Sequence, residues 1–364
     1  MKAILVKVQR MCQVRSHGAL LCLVACVFLL VTTYSNSVAV IDTLYFLKYS
    51  SQDIGTQISG NLSLNEPHVP WWDGGLCKCE RQVCVPEGPV ERASMARVGG
   101  TCGQRAWEAG GGQKVISLSL YGEEAEYWEG LDDILSKVAT MYPGWMVRLY
   151  TVPDTRSAYL CPLLSRHPHL YVCDVGNLPL PLGNITNIHP MMWRVAALGD
   201  PQLETLMVRD TDMPVSKREF TAVQAWLASD KTFHVMRDHP FHCVSILGGL
   251  WGVRWRQEFE NSSMITVVKM NMLADSLHQT NRGYDQNVLG KWLWPLMKGR
   301  VLAHDSYCCM HSEGNVPWPT QRENGSFVGS RRCVSRSCVL QCVLQYVSLH
   351  PCILQCLLPC VFSS

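Results

Sequence analysis

Leu206-Met207-Val208-Arg209-Asp210-Thr211-Asp212 is an apolar run that ends in two aspartates one residue apart. On a β-strand, residues i and i+2 face the same side, so both carboxylates project from the strand's end toward one point. Paired hard oxygen ligands suit Mg²⁺ or Mn²⁺, ions that keep coordination positions for phosphate oxygens. Open α/β sheets hold their ligands beyond the carboxyl ends of the strands, where this pair would sit. An Asp-x-Asp alone also occurs in solvated turns, so its meaning depends on its neighbours.

The residues upstream predict an α/β unit. Val115-Ile116-Ser117-Leu118-Ser119-Leu120-Tyr121-Gly122 alternates as a first strand. Glu123 to Met141 carries Tyr127, Leu131, Ile134, Leu135 and Val138 at helical spacing, and Tyr142-Pro143-Gly144 stops it. Met146 to Tyr150 is a second strand, so a parallel pair with a right-handed crossover is expected. Leu170 to Val175 is a third. No Gly-x-Gly-x-x-Gly follows the first strand, which disfavours a dinucleotide site.

Around the aspartates, Met191-Met192-Trp193 reads as core, and Arg194 offers a guanidinium that can hold a diphosphate bidentately or form an ion pair. Ser216 and Glu219 make a Ser-x-x-Glu helix start, with Phe220, Val223, Trp226 and Leu227 on one face. Phe233 to Met236 is a strand, and Arg237-Asp238-His239-Pro240 is too polar for a core. Gly248-Gly249-Leu250-Trp251-Gly252 is either a packing turn with a core tryptophan or a loop that brings backbone and an aromatic wall to a sugar. Tyr284-Asp285-Gln286 opens an apolar helix, and Val301 to Ser306 follows it with His304.

These motifs in this order resemble a family of glycosyltransferase-like proteins of capsular-polysaccharide loci and the animal secretory pathway. Its members carry an R-D-x-D, a W-L, an F-H-x-M-R-D-H-P and an L-G-G-x-W-G in succession. The resemblance covers about residues 113 to 311, including Tyr142-Pro143-Gly144-Trp145 and Tyr284-Asp285-Gln286. It implies an α/β fold of the GT-A-like nucleotide-diphospho-sugar transferase type, a mixed, mainly parallel sheet flanked by helices. By resemblance, Asp210, Asp212 and His304 hold Mn²⁺ (or Mg²⁺), and neutral imidazole would favour Mn²⁺. Arg194, Arg237, His239, Gly248, Gly249 and Trp251 would bind substrate, and Asp238, Asp285 and Gln286 would be catalytic. The Asp-Gln pair resembles the donor-sugar element of glycogenin-like retaining enzymes; an inverting enzyme would use Asp238 or Asp285 as base. The expected partners are a UDP- or GDP-linked sugar and a glycan, protein or lipid acceptor.

Composition sets the surroundings. A formal charge of +2 over 364 residues, with no long basic block, argues against nucleic acid as a partner. Eighteen cysteines and the sequons at Asn61, Asn184, Asn261 and Asn324 point to an oxidising, glycosylating compartment. Lys2, Lys7, Arg10 and Arg15 precede an apolar run from Ala19 to Val31, read as a signal anchor or a cleaved signal peptide. The expected organisation is a cytosolic tail (1–17), an anchor (18–34), a cysteine-bearing stem (35–112), a catalytic domain (113–311) and a low-complexity Cys/Leu-rich tail (312–364). That places the catalytic domain in the Golgi or ER lumen, or outside the cell if the segment is cleaved. Cys77, Cys79, Cys84 and Cys102 lack usual zinc spacing and are expected in disulfides, while Cys161 and Cys173 pair with each other or stay as thiols. Two other classes fit the Asp-x-Asp: a phosphohydrolase of the haloacid-dehalogenase type, against which Met213-Pro214 and the lack of a late Lys and acidic pair argue, and a non-catalytic glycan-binding scaffold.

Overall fold

A computed structural model describes residues 77–80 and 83–86 as backbone and 100–331 apart from 154–155, 256–262, 308–312 and 324–325. The expected anchor, most of the stem and residues 332–364 lie outside the described residues. Among the described residues, no helix is long and apolar enough to cross a membrane.

The first described elements are an antiparallel hairpin of β1 (Cys77–Glu80) and β2 (Val83–Pro86). A short helix α1 (Gln104–Glu108) leads into β3 (Gln113–Ser119), then α2 (Ala125–Met141), β4 (Trp145–Thr151), α3 (Ser157–Arg166) and β5 (Leu170–Asp174). A 3-10 helix (Pro190–Ala197) precedes β6 (Leu203–Arg209), α4 (Lys217–Ala228), β7 (Phe233–Arg237) and β8 (Leu250–Arg254). Then come α5 (Ser263–Asp275), α6 (Tyr284–Trp292), α7 (Trp294–Met297), β9 (Val301–Asp305) and β10 (Asn315–Val316).

Strands β3 to β10 form one sheet in the order β10-β9-β7-β8-β6-β3-β4-β5, in which only β8 runs antiparallel to its neighbours. Within it, β5-β4-β3-β6 is a parallel set built outward from β3. Chain progression reverses between β3 and β6, and at such a switch point the loops leaving adjacent strands part to opposite faces and open a crevice.

Side-chain alternation fixes the two faces. On β3, Val115 packs with Leu206 and Val208 of β6 on one face, whereas Ile116 and Leu118 pack with Met207 on the other. Small Ser117, on the Val115 face, donates its hydroxyl to Arg194 O at 2.8 Å, so the 3-10 helix lies directly over the sheet. On β6 the same alternation sends Arg209 to the face opposite Leu206 and Val208, where Glu219 of α4 receives it through two bonds of 2.5 and 2.7 Å. Ser216 caps α4 by accepting from Glu219 N, as its spacing predicts, but the Glu219 side chain turns inward to Arg209 instead of back to the cap.

Three expectations change. Leu250-Trp251-Gly252 belongs to strand β8, not to a loop. Gly252 permits this, since a Cβ there would sit 2.9 Å from the Trp226 ring, which stacks on His234. Cys173 pairs with Cys102 and not with Cys161, because Cys173 faces the Val115 side of the sheet and Cys161 the Ile116 side. Cys161 is disulfide-bonded too. The α/β unit also extends beyond both expected limits. Thr101 donates to Asp200 at 2.8 Å and Arg105 to Leu170 O at 2.8 Å ahead of residue 113, and β10 joins the sheet after residue 311.

Arg209 and Glu219 are each about 1% exposed at the side chain, so removing one strands the other's charge in the interior. Glu219→Ala should lower unfolding stability by about 3–5 kcal/mol. A denaturant midpoint shift equivalent to less than about 1 kcal/mol would show that the pair does not hold β6 to α4.

Candidate active site

A cleft of about 770 Å³ opens where the loops after β3 and β6 diverge. Ser119 at the end of β3 and Tyr121 just beyond it wall the cleft, with Asp210 and Asp212 in the segment that follows β6, Arg194 from the 3-10 helix, Gly248 from the turn before β8, and Asp285 and Gln286 from the start of α6. Residues far apart in sequence meet here because each sits at the end of an element converging on the switch point.

Arg194 is the centre of the group. Its guanidinium, about 3% exposed, pairs with Asp210 Oδ1 and reaches Asp285 Oδ2 at 3.0 Å, and it donates to Arg209 O at 3.1 Å. Burial opposes its charge, but the two aspartates outweigh that and raise its pKa. Asp285 is pushed up by burial, against the pull of Arg194. Its Oδ1 has no hydrogen-bond partner among the described residues, nor has Arg194 Nε. Asp212 is raised by burial and then by the neighbouring charge of Asp210, since a like charge disfavours ionisation. Arg331, at the far end of the segment after β10, meets Asp212 Oδ2 at 3.0 Å. Burial and the aspartates push the Tyr121 phenol up to about 12, so it stays protonated and can donate.

Gly248 and Gly249 are required by space. A Cβ on Gly249 would lie 2.6 Å from Asp210 N and overlap its carboxylate, and one on Gly248 would lie 2.7 Å from Arg194 Nη2 and overlap Asp285. The glycine pair therefore sets where the aspartates and the arginine rest; it brings backbone to Asp210 and Asp285.

The other expected site residues are placed elsewhere. His304 does not reach the aspartates: β7 and β8 lie between β9 and β6, three strand intervals or roughly 14 Å. It shares a 2.8 Å hydrogen bond with His234 and packs on Trp318; burial and then Arg218 lower its pKa to about 4. Arg237 is spent on Asp305 at 2.7 Å and Ser245 O at 2.8 Å. Asp238 is fully buried beside the cleft and is not among its walls. Arg218 grips both of its oxygens, Arg322 and Ser306 bond Oδ1, and Val328 N donates to Oδ2 at 2.9 Å. Burial alone would raise this carboxyl, and those donors hold it below the usual range instead. His239 packs against Phe327 and Phe241, and Trp251 is core, its Nε1 donating to Gly248 O at 3.2 Å. Conversely, Ser119, Tyr121, His242 and Arg331 line the cleft without having been singled out. Ser119 and Tyr121 carried a signal, since they follow the first strand where the crevice rule points; Arg331 carried none.

As a cation site, Asp210 and Asp212 fit in chemistry: two close carboxylates, each partly open to the cleft, with proton affinity raised at Asp212. No third His, Cys, Asp or Glu joins them among the described residues. Remaining coordination positions would fall to ligand oxygens and water, the usual state of Mg²⁺ or Mn²⁺ beside phosphates. With His304 elsewhere, the imidazole argument for Mn²⁺ over Mg²⁺ lapses.

No family model and no curated protein matches the sequence. Among solved structures, the chain is similar to a glycosyltransferase involved in the glycosylation of the major capsid of PBCV-1, at 16% identity over 54% of this chain and 82% of that one, with a TM-score of 0.33. It is similar to a mannosyltransferase from Pyrobaculum calidifontis in complex with GDP-Man and Mn²⁺, at 16% identity over 40% of this chain and 45% of that one, TM-score 0.28. A third is TarS from S. aureus, at 11% identity over 53% and 58% of the two chains, TM-score 0.34. The matched region thus spans about half the length of the latter two. At such TM-scores the fold rests on this chain's own strand order and the function on its own site.

If the glycine pair positions the aspartates, Gly249→Ala should abolish divalent-cation binding, read by isothermal titration with Mn²⁺. The protein should stay folded at a cost of about 1–3 kcal/mol. Wild-type Mn²⁺ affinity in the alanine variant would show that Asp210 is placed by something other than the turn.

Proposed function

We propose that the protein is a metal-dependent glycosyltransferase that moves a sugar from a nucleotide-sugar donor to a hydroxyl of a lumenal glycan, protein or lipid. The observation that carries this reading is the convergence of Asp210, Asp212, Arg194 and Asp285 at the sheet's switch point, with a buried Asp285 oxygen left unpartnered. The ordered motifs that resemble glycosyltransferase-like proteins include Asp210, Asp212 and Asp285.

Asp210 and Asp212 would hold Mg²⁺ or Mn²⁺, which when bound supplies positive charge to a leaving diphosphate. Arg194 holds Asp210 and Asp285 in fixed orientation, so neither must reorganise when substrate enters. Asp285 Oδ1 accepts a hydrogen bond from a donor-sugar hydroxyl, and Gln286 beside it supplies both a donor and an acceptor. Tyr121 donates from the opposite wall. Of the two carboxylates considered as an inverting base, Asp285 borders the cleft and Asp238 has its oxygens engaged, so an inverting reaction would draw on Asp285. The cleft volume lies within the range of small-molecule sites. The Cys102–Cys173 disulfide agrees with residence in the Golgi or ER lumen, reached through an N-terminal anchor, or outside the cell.

One observation favours a non-catalytic, glycan-binding role: each aspartate of the pair already has an arginine partner, Arg194 or Arg331. The two readings differ in whether nucleotide binding needs metal. The whole chain should bind UDP or GDP in titration calorimetry with Mn²⁺ or Mg²⁺ and not in EDTA, and an Asp210→Asn/Asp212→Asn variant should lose at least tenfold in affinity. Folded protein that binds neither nucleotide would remove the transferase reading and leave the binding role.

A further inference from the structure

His242 borders the cleft four residues beyond Asp238. The backbone N–H of Asp238 donates to His242 Nδ1 at 3.1 Å. A neutral imidazole carries one N–H and one lone-pair nitrogen, so this bond assigns the proton to Nε2. Burial, and after it His239, push the pKa of His242 down to about 3, against the charges of Asp238 and Asp210, with Arg322 also lowering it. The ring is therefore a neutral donor through Nε2 and cannot serve as a base there. Nε2 has no acceptor among the described residues.

The surroundings fix where that N–H lies. Phe327 and His239 flank the ring at 5.8 and 5.6 Å between centroids. Its Cε1–Nε2 edge lies against Gly329, another wall of the cleft: a Cβ there would stand 2.9 Å from Cε1 and 3.5 Å from Nε2. Gly329 has φ +93°, a conformation open to glycine, and so the chain passes beside the ring without a side chain to cover the cleft. The donating backbone is fixed in turn, since the Asp238 side chain is held by Arg218 of α4 and by Arg322 and Val328 of the last described segment. A half-buried donor at the cleft wall, with a fixed tautomer, no acceptor among the described residues and close enough to Asp210 to feel its charge, is placed to meet a ligand oxygen.

We infer that His242 is a donor-binding residue whose Nε2–H bonds an oxygen of the nucleotide's diphosphate, and that Asp238 is the positioning residue that sets its tautomer. The inference rests on the glycosyltransferase reading and extends it to a residue outside the aspartate pair. It also gives Asp238 a role in the site that needs no contact with substrate.

Two variants separate the roles. His242→Asn keeps an acceptor near Nδ1 for the Asp238 N–H but has no group at the Nε2 position; His242→Gln carries an amide N–H out to that position. Affinity for UDP or GDP, whichever the wild type binds with Mn²⁺, is measured in the whole chain by calorimetry, with thermal unfolding to confirm folding. The Asn variant should melt as wild type does and bind roughly 10- to 100-fold more weakly, the loss expected for one hydrogen bond to a charged group. The Gln variant should recover most of that affinity. The same loss should be seen for the nucleotide sugar as for the diphosphate. A folded Asn variant with wild-type affinity overturns the inference while leaving the transferase reading intact. So does a loss confined to the nucleotide sugar, which would put Nε2 on a sugar hydroxyl. Wild-type protein that binds no nucleotide removes both.

Discussion

A buried guanidinium between two carboxylates governs the architecture of the cleft. Taking the Arg194 charge out of water costs several kcal/mol unless it is paired, and its partners come from two separate elements, the end of β6 and the start of α6. Those elements, with the 3-10 helix that carries Arg194, must therefore close on one point. The hydroxyl of Ser117 beneath that helix and the side-chain-free turn at Gly248 and Gly249 are what make the approach possible. The same pairing pulls Asp285 toward its charged form, though burial outweighs it and leaves the carboxyl raised.

Two charged networks stand side by side and differ in completeness. Around Asp238 both oxygens are taken by arginine, hydroxyl and backbone donors, and a fully satisfied buried network acts as a fastener. It ties α4 and β7 to the last described segment, which then delivers Gly329 and Arg331 to the cleft. Around Arg194 the network is left open, with Asp285 Oδ1 and Arg194 Nε lacking partners among the described residues. Buried polar groups are seldom left so, and at a cleft the usual completion is a ligand. This contrast marks the second network as the open one at the cleft and the first as closed.

The motif Arg237-Asp238-His239-Pro240 shows why polarity alone misleads. Its residues are too polar for an apolar core, which pointed to surface or substrate. A third outcome was available, burial with complete pairing, and Arg237 with Asp305 and Asp238 with Arg218 and Arg322 take it. Those partners lie as far as 84 positions along the chain, and local sequence carries no mark of such pairing. His304 illustrates the same limit in another way. Its order in the chain suited a late metal ligand, but lateral distance in a sheet follows strand order, and β7 and β8 separate it from the aspartates.

The sequence by itself determined strands β3 to β7, the α2 and α4 helices and the Ser216 cap, because periodicity and capping are local properties of neighbouring residues. It also marked Arg194 and Asp285 as chemically interesting. Only the tertiary structure decided that these two meet, that Leu250 to Arg254 enters the sheet antiparallel, that Cys173 bonds Cys102, and that the Asp238 N–H bonds His242 Nδ1. Each of those outcomes depends on which face of the sheet a residue occupies and which strand lies beside it, and both are settled by packing between segments distant in the chain.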